Sequence, residues 1–312
     1  MPLSTEELVA ALDTPISIPV IPFEQGEIDY DGLGKNVDYL MNNNNLEGDR
    51  RRVICLAGTS LIHHVGFDDQ VKLMEQTARR MAGTGVLIAG IPPNPISDAG
   101  KVVESQCRLV DGPDAYLLMP VTGVCDPEGI YNTFMEFADR FGALGARFLY
   151  YLRQANQVEV AARLVNDSPH CIGVKVGTSE DEVTPLLEAI GEDQGTVIWG
   201  IGDRSTTAAR LGTRGHTSGI NVAFAKASDE INNAQRRGDY ERASAVESQL
   251  GALKDIRFRD GRMYNYSAVV EALEIGGWDD VEAGEGGPFN PRVPTSVAAE
   301  VREAISGILE YH

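Results

Sequence analysis

The chain has 312 residues, of which 43% are hydrophobic, and a formal net charge of −19 at pH 7. This length allows either two domains or one large α/β barrel with extensions, and the apolar fraction is sufficient for a sizeable core. The strongly acidic charge argues against binding to nucleic acid and to anionic membrane surfaces.

The first residues, Met1 to Glu7, contain neither a basic nor an apolar segment, so we expect no signal peptide. No apolar run approaches the roughly 18 residues that a membrane-spanning helix needs. The four cysteines, at positions 55, 107, 125 and 171, have no CxxC spacing. The expected protein is therefore reduced and cytoplasmic, with cysteines that serve as small core residues.

Eight β-rich segments alternate with helix-like segments along the chain. The strands are predicted at 15–23, 52–57, 85–91, 115–119, 147–152, 171–176, 196–201 and 216–222. The helices that follow them are predicted at 29–41, 68–81, 97–110, 127–141, 157–166, 179–190, 204–211 and 223–236. This alternation indicates a parallel sheet, and eight repeats favour closure into a (β/α)8 barrel over an open doubly wound sheet.

Helix-start signals support two of these assignments. Asp126 followed by Pro127 is a typical N-cap and first helical residue, and Ser179 with Glu182 has the capping-box spacing. Three more helical stretches follow the barrel, at 240–255, 263–273 and 295–309. We therefore expect residues 1–236 to form the barrel and residues 237–312 a helical extension that packs on it or in a subunit contact.

One lysine stands out. Lys175 lies near the end of the apolar segment 171–176, whereas the chain's other five lysines lie in polar or helix-like surroundings. Burial favours the neutral amine, a nucleophile that can attack a carbonyl and form a Schiff base. Two other interpretations stay open at this point: a lysine that reaches out to water from the strand end, or a core ion pair.

Barrels of this kind carry their chemistry at the C-terminal ends of the strands. Those ends here hold hydroxyls, a phenol, an amine and a glycine. A lysine that attacks a ketone needs a proton shuttle, which Tyr150 or Tyr151 could provide. The carboxylate of the substrate needs hydroxyls and backbone amides that bind it. The predicted set is Thr59, Ser60, Thr122, Tyr150 or Tyr151, Lys175 and Gly200.

Other site classes match the sequence less well. The dinucleotide motif GxGxxG starts at Gly200 but has Ser205 at its third glycine position, and neither a phosphate-binding Walker A motif nor an HExxH metal motif occurs. His63 and His64 are adjacent, so their side chains diverge, and no acidic residue lies at metal-ligand spacing. We therefore expect neither a cofactor nor a metal.

Several short motifs resemble the dihydrodipicolinate synthase / N-acetylneuraminate lyase family of class I aldolases. The resemblance covers about residues 15 to 310. The matching segments are Pro22-Phe23 with Gly26 to Asp29, Gly58-Thr59-Ser60, Glu128 to Tyr131, Leu149-Tyr150-Tyr151, Gly173-Val174-Lys175, Gly200 with Asp203, and Gly238-Asp239.

The resemblance implies a (β/α)8 barrel with C-terminal helices, assembled as a dimer or tetramer, in which Lys175 forms the Schiff base. It implies Tyr150 as the proton-shuttling tyrosine, Thr59 as a relay hydroxyl and Ser60 as a ligand of the keto-acid carboxylate. Thr122 stands where the synthases have a second tyrosine. In the family an arginine follows the tyrosine of the fifth strand at a fixed spacing. This chain has no arginine at that spacing, and Arg153, two residues earlier, is the candidate to replace it.

The leading hypothesis is a cofactor-free lyase that joins Lys175 to pyruvate or another 2-oxo acid and makes or breaks a bond beside that carbon. Because the second tyrosine is missing, two alternatives stay open. One is a sugar-acid dehydratase of the same family, and the other is a paralogue that binds keto acids without turnover. A metal-dependent barrel enzyme is disfavoured by the absence of clustered histidine and acidic residues.

Overall fold

A computed structural model describes residues 3–191 and 194–312, and within these residues eight parallel strands close into a barrel. The predicted fold class is confirmed. In chain order the strands are β1 (Pro15–Ser17), β2 (Val53–Leu56), β3 (Val86–Ile91), β4 (Ala115–Leu118), β5 (Phe148–Leu152), β6 (Cys171–Val176), β7 (Thr196–Trp199) and β8 (His216–Ser218). Each strand pairs with its neighbour in sequence, and β1 closes the ring against β8.

Helices surround this barrel and continue beyond it. They are α1 (Thr5–Ala11), α2 (Tyr30–Asn42), α3 (Phe67–Met81), α4 (Ile96–Gln106), α5 (Pro127–Gly142), α6 (Val158–Asp167), α7 (Val183–Ile190), α8 (Thr206–Leu211), α9 (Ala225–Arg236), α10 (Tyr240–Gln249), α11 (Gly251–Arg262), α12 (Ser267–Gly276) and α13 (Thr295–Ile305).

The local start signals act as the sequence predicted. Asp126 caps α5 by accepting a hydrogen bond from the backbone N–H of Gly129 at 2.9 Å, with Pro127 in the first turn. Ser179 and Glu182 form the predicted capping box, although a short 3₁₀ turn precedes α7. Each cap satisfies amide groups that a helix start would otherwise leave unpaired.

Three differences from the predicted boundaries have a clear structural cause. The first strand ends at Ser17, because the chain leaves the barrel there and Phe23–Glu24 instead pairs with Glu27–Ile28 in a small hairpin. The predicted helix 240–255 is two helices, α10 and α11, separated at Leu250. The helix predicted from Met263 begins at Ser267, because Asp260, Gly261 and Arg262 all adopt positive φ and reverse the chain.

The strands are buried on both faces, as expected for a parallel barrel whose outer surface is covered by helices. Among the described residues, no helix is long and apolar enough to cross a membrane.

Candidate active site

A cavity of about 50 Å³ lies at the C-terminal ends of the strands, on the barrel axis side of β6 and β7. It is large enough for roughly four water molecules, since one needs about 10–15 Å³ by the same measure. Lys175, Tyr151, Thr59 and Gly200 from the barrel line it, and so do residues of α11 and the segment after it. A site at this end of a barrel is where strand-end side chains can converge.

Lys175 lies in this cavity and is only 4% exposed. Within the described part of the chain, no salt bridge reaches its amine, and no acidic side chain lines the cavity. Its Nζ lies 4.0 Å from the centroid of the Tyr151 ring. Lys175 is therefore neither a surface lysine nor half of a core ion pair, and its nitrogen faces a space that a small molecule could enter.

Gly200, at the end of β7, makes room for that lysine. A Cβ atom at position 200 would lie 2.9 Å from Cγ and 3.0 Å from Cε of Lys175, and 2.4 Å from the carbonyl oxygen of Val176. These contacts are closer than van der Waals packing permits. Gly200 also lines the cavity, so its predicted close approach to a ligand stays a prediction.

The tyrosine beside Lys175 is Tyr151, and the prediction that chose Tyr150 is wrong in its geometry. Strand pairing sets Tyr151 opposite Lys175, so both side chains point to the barrel interior. Successive residues of a strand point to opposite faces, so Tyr150 points outward. Its hydroxyl donates a hydrogen bond to Oε1 of Gln157 at 2.9 Å, and its ring packs on Phe134 of α5.

The surroundings of Tyr151 favour its ionisation. Burial by itself raises the pKa of the phenol, but the positive charges of Lys175, Arg153 and Arg262 outweigh that effect and lower the pKa to about 8. Burial raises the pKa of Tyr150 well above its usual value instead. A phenol that titrates near neutral pH is suited to accept and return a proton.

Thr59 and Ser60, which follow β2, have separate positions. Thr59 lines the cavity, and its Oγ1 lies 3.5 Å from Nδ2 of Asn265. Ser60 is buried away from the cavity wall, where its hydroxyl donates to the carbonyl oxygen of Pro19 at 2.5 Å. The expected role of the Ser60 hydroxyl as a carboxylate ligand therefore conflicts with its position, because that hydroxyl already anchors the loop after β1.

Thr122 and Arg153 lie outside the cavity wall. Thr122 is exposed in the loop after β4, where its backbone N–H donates to the side chain of Asn94; its contact with substrate stays a prediction. Arg153 follows β5 and is half-buried at the rim. Its Nη1 donates to the carbonyl oxygen of Gly177 at 3.1 Å, and its guanidinium carbon lies 5.6 Å from the Tyr151 ring. Arg153 thus acts on the site through its charge.

The sequence prediction missed the residues that line the cavity from α11 and the turn after it. Arg257 is 2% exposed, and its guanidinium donates to the carbonyl oxygen and the Oδ1 of Asn265 at 3.2 and 2.8 Å. Arg262 and Phe258 also line the cavity. Burial lowers the pKa of Arg257 to about 10, and Arg262 contributes to that lowering. The dipeptide Asp260-Gly261 was the available signal, since it marks a turn inside a helical pattern.

The turn that brings Arg262 to the cavity is strained. Asp260 has φ +48° and Arg262 has φ +73°, a region that side chains other than glycine rarely adopt. Each such residue costs about 1–3 kcal/mol, and such costs are concentrated at functional sites.

A second buried lysine lies below the cavity. Lys254 of α11 is fully buried, and its Nζ lies 3.3 Å from Oδ2 of Asp203, which also accepts hydrogen bonds from Ser218 and Ser228. The sequence pattern placed this lysine in polar or helix-like surroundings; it does lie on a helix, and the pattern did not show that it is buried. Burial lowers the pKa of Lys254 to about 8, while the carboxylate of Asp203 opposes that shift. The pair holds α11 against the barrel one turn before Arg257.

Across residues 3–191 and 194–312, no group of three or more histidine, cysteine, aspartate or glutamate side chains is arranged to hold a metal ion. His63 and His64 are both exposed, and His64 packs on Phe289.

The sequence of the chain is similar to that of one enzyme family. The model of the dihydrodipicolinate synthetase family matches residues 11–305. The 4-hydroxy-tetrahydrodipicolinate synthase of Thermodesulfovibrio yellowstonii is 27% identical over 245 residues, which cover 77% of this chain and 80% of that protein.

Two solved structures extend the similarity to the fold. Dihydrodipicolinate synthase from Bacillus clausii superposes with a TM-score of 0.86 at 22% identity, covering 96% of this chain and 98% of that one. The enzyme from Acinetobacter baumannii, solved in complex with pyruvate, has a TM-score of 0.81 at 20% identity, covering 95% and 99%.

Proposed function

The chain belongs to the dihydrodipicolinate synthetase family, whose members are lyases of the class I aldolase type, and from this premise we propose that Lys175 forms a Schiff base with pyruvate or another 2-oxo acid. The observation that carries the proposal is the position of Lys175: a buried amine without an acidic partner among residues 3–191 and 194–312, 4.0 Å from the centroid of the ring of a tyrosine whose pKa is lowered to about 8. The pyruvate complex of the related Acinetobacter baumannii enzyme supports the choice of substrate class.

In the proposed reaction the neutral Nζ attacks the carbonyl carbon, so that a C–N bond forms, the C–O π bond breaks, and one proton passes from the nitrogen to the oxygen. The resulting carbinolamine loses its hydroxyl as water when that oxygen takes a second proton from the phenol of Tyr151, and a protonated imine and the Tyr151 phenolate remain. We assign the first transfer to Tyr151 as well, which accepts the proton from the nitrogen and returns it to the oxygen. The protonated imine withdraws electrons from the neighbouring carbon, so that a bond there can form or break.

Within this proposal Thr59 relays protons or orients the carboxylate from the cavity wall. Gly200 leaves space for the extended Lys175 side chain, and Arg153 stabilises the phenolate form of Tyr151 from the rim. The proposal transfers the tyrosine role from Tyr150 to Tyr151 because only Tyr151 faces the amine.

We further propose that the barrel, residues 1–236, and the extension, residues 237–312, work as one catalytic unit, since Arg257 and Arg262 line the cavity from the extension. The free state of the cysteines at 55, 107, 125 and 171 supports a reducing compartment such as the cytoplasm. Family resemblance supports assembly as a dimer or tetramer.

The test is reductive trapping. The protein is incubated with pyruvate and borohydride, and the intact mass is compared for the native chain, Lys175→Ala and Lys226→Ala, the last being an exposed lysine on α9. We expect one carboxyethyl group on the native chain and on Lys226→Ala, and none on Lys175→Ala. An unmodified native chain across a panel of 2-oxo acids would falsify the proposal.

A further inference from the structure

The arginines that line the cavity have no ionic partner there. Arg257 is buried, and its Nη1 has no hydrogen-bond partner among the described residues. A buried guanidinium N–H without an acceptor is costly, and such groups are normally paired. Asp203, the carboxylate whose charge acts on Arg257, is already engaged by Lys254, Ser218 and Ser228.

Arg257 and Arg262 both line the cavity, and both lie beside the Phe258 ring. Their guanidinium carbons are 5.3 and 5.4 Å from the centroid of that ring. The fixed position of α11 and the strained turn at Asp260 to Arg262 hold them in place before any ligand binds.

We propose that Arg257 and Arg262 bind a second carboxylate of the substrate, remote from its oxo group, so that the enzyme acts on 2-oxo dicarboxylic acids. This inference rests on the proposed Schiff-base function and specifies its substrate class.

Charge balance supports a dianionic substrate. The cavity wall carries Lys175, Arg257 and Arg262, and no acidic side chain of the described residues lines it. Arg257 is the buried guanidinium of the two, and a substrate whose single carboxylate is held near Thr59 leaves it uncompensated. A second carboxylate can accept a hydrogen bond from the Nη1 that Arg257 still offers.

The test uses saturated acids without an oxo group, which cannot form an imine, so that binding is measured separately from Schiff-base chemistry. Calorimetry compares glutarate, pentanoate and 4-phosphonobutyrate for the native chain, Arg262→Gln, Arg257→Lys and Arg108→Gln. Arg108 is the matched control, since its ion pair with Glu104 is on the outer surface.

We expect the native chain to bind glutarate at least about 10-fold more tightly than pentanoate, which is the effect of one charge-assisted contact. Arg262→Gln should lose that preference, Arg257→Lys should keep part of it, and Arg108→Gln should keep all of it. Equal affinity for both acids, no binding of either, or a preference that survives in Arg262→Gln would overturn the inference. Tighter binding of the phosphonate than of glutarate would overturn the carboxylate assignment.

Trapping of pyruvate separates this inference from the proposed function. An adduct on Lys175 without a glutarate preference would leave the Schiff-base chemistry standing and reject the dicarboxylate subsite. A glutarate preference without any adduct would leave the dicarboxylate subsite standing and reject the Schiff-base chemistry.

Discussion

The two buried lysines of this protein differ in their surroundings. Lys175 is on a barrel strand, faces a cavity and has no acidic partner among the described residues, whereas Lys254 is on a helix, is fully buried and pairs with Asp203 at 3.3 Å. A buried ammonium needs a counter-charge, and a buried amine that can react must be able to lose its proton. Under the proposed function, the presence of a partner, more than burial, separates the lysine that reacts from the one that stabilises the fold.

The largest effect is expected when the amine of Lys175 is removed, which tests the difference between the two lysines. Lys175→Met keeps an unbranched side chain that lacks only the terminal amine position, and we expect it to reduce exchange of the methyl hydrogens of pyruvate for deuterium by at least about 10³-fold, because the imine cannot form. The exchange is followed by NMR. The melting temperature should not fall, since no ion pair is lost. Exchange within tenfold of the native rate would contradict the account.

The next prediction compares the adjacent tyrosines. Tyr151→Phe should reduce the same exchange by about 10²–10⁴-fold, the usual contribution of a positioned acid–base group. Tyr150→Phe is the matched control; it loses only the hydrogen bond to Gln157, so its exchange rate should stay within a fewfold of native and its stability should fall by about 1 kcal/mol. The reverse order of rates would show that the proton shuttle is Tyr150.

The structural lysine should affect stability. Lys254→Met leaves Asp203 buried without its counter-charge, and we expect the free energy of unfolding, from urea denaturation, to fall by about 3–5 kcal/mol. The double variant Lys254→Met with Asp203→Asn should recover part of this loss. A decrease below about 1 kcal/mol for the single variant would show that the pair contributes little.

The smallest expected effect is a shift in pH dependence. The pKa of Tyr151 is lowered to about 8, so the phenolate predominates only above that pH, and the exchange rate should rise towards a plateau there. Arg262→Gln removes one of the charges that lower this pKa. The inflection measured at saturating pyruvate should therefore move to higher pH, with Arg108→Gln unchanged. An unchanged or lower inflection for Arg262→Gln would show that the charge of Arg262 does not lower the pKa of Tyr151.

Local patterns were sufficient to predict the barrel and Lys175, because strand–helix alternation and an apolar strand with one lysine are features of contiguous residues. Local patterns could not decide between Tyr150 and Tyr151, because β5 is buried on both faces. Only the register of β5 against β6 shows which tyrosine lies opposite Lys175. Arg257 and Lys254 were missed for a similar reason. Their inward orientation depends on how α11 packs on the barrel, and the helix pattern alone does not show which face is buried.

Peptide mapping after borohydride reduction with pyruvate compares both buried lysines in one sample. The account predicts a carboxyethyl group on the peptide that contains Lys175 and none on the peptide that contains Lys254. Modification of Lys254, or equal modification of both peptides, would contradict the claim that the unpaired amine in the cavity is the reactive one.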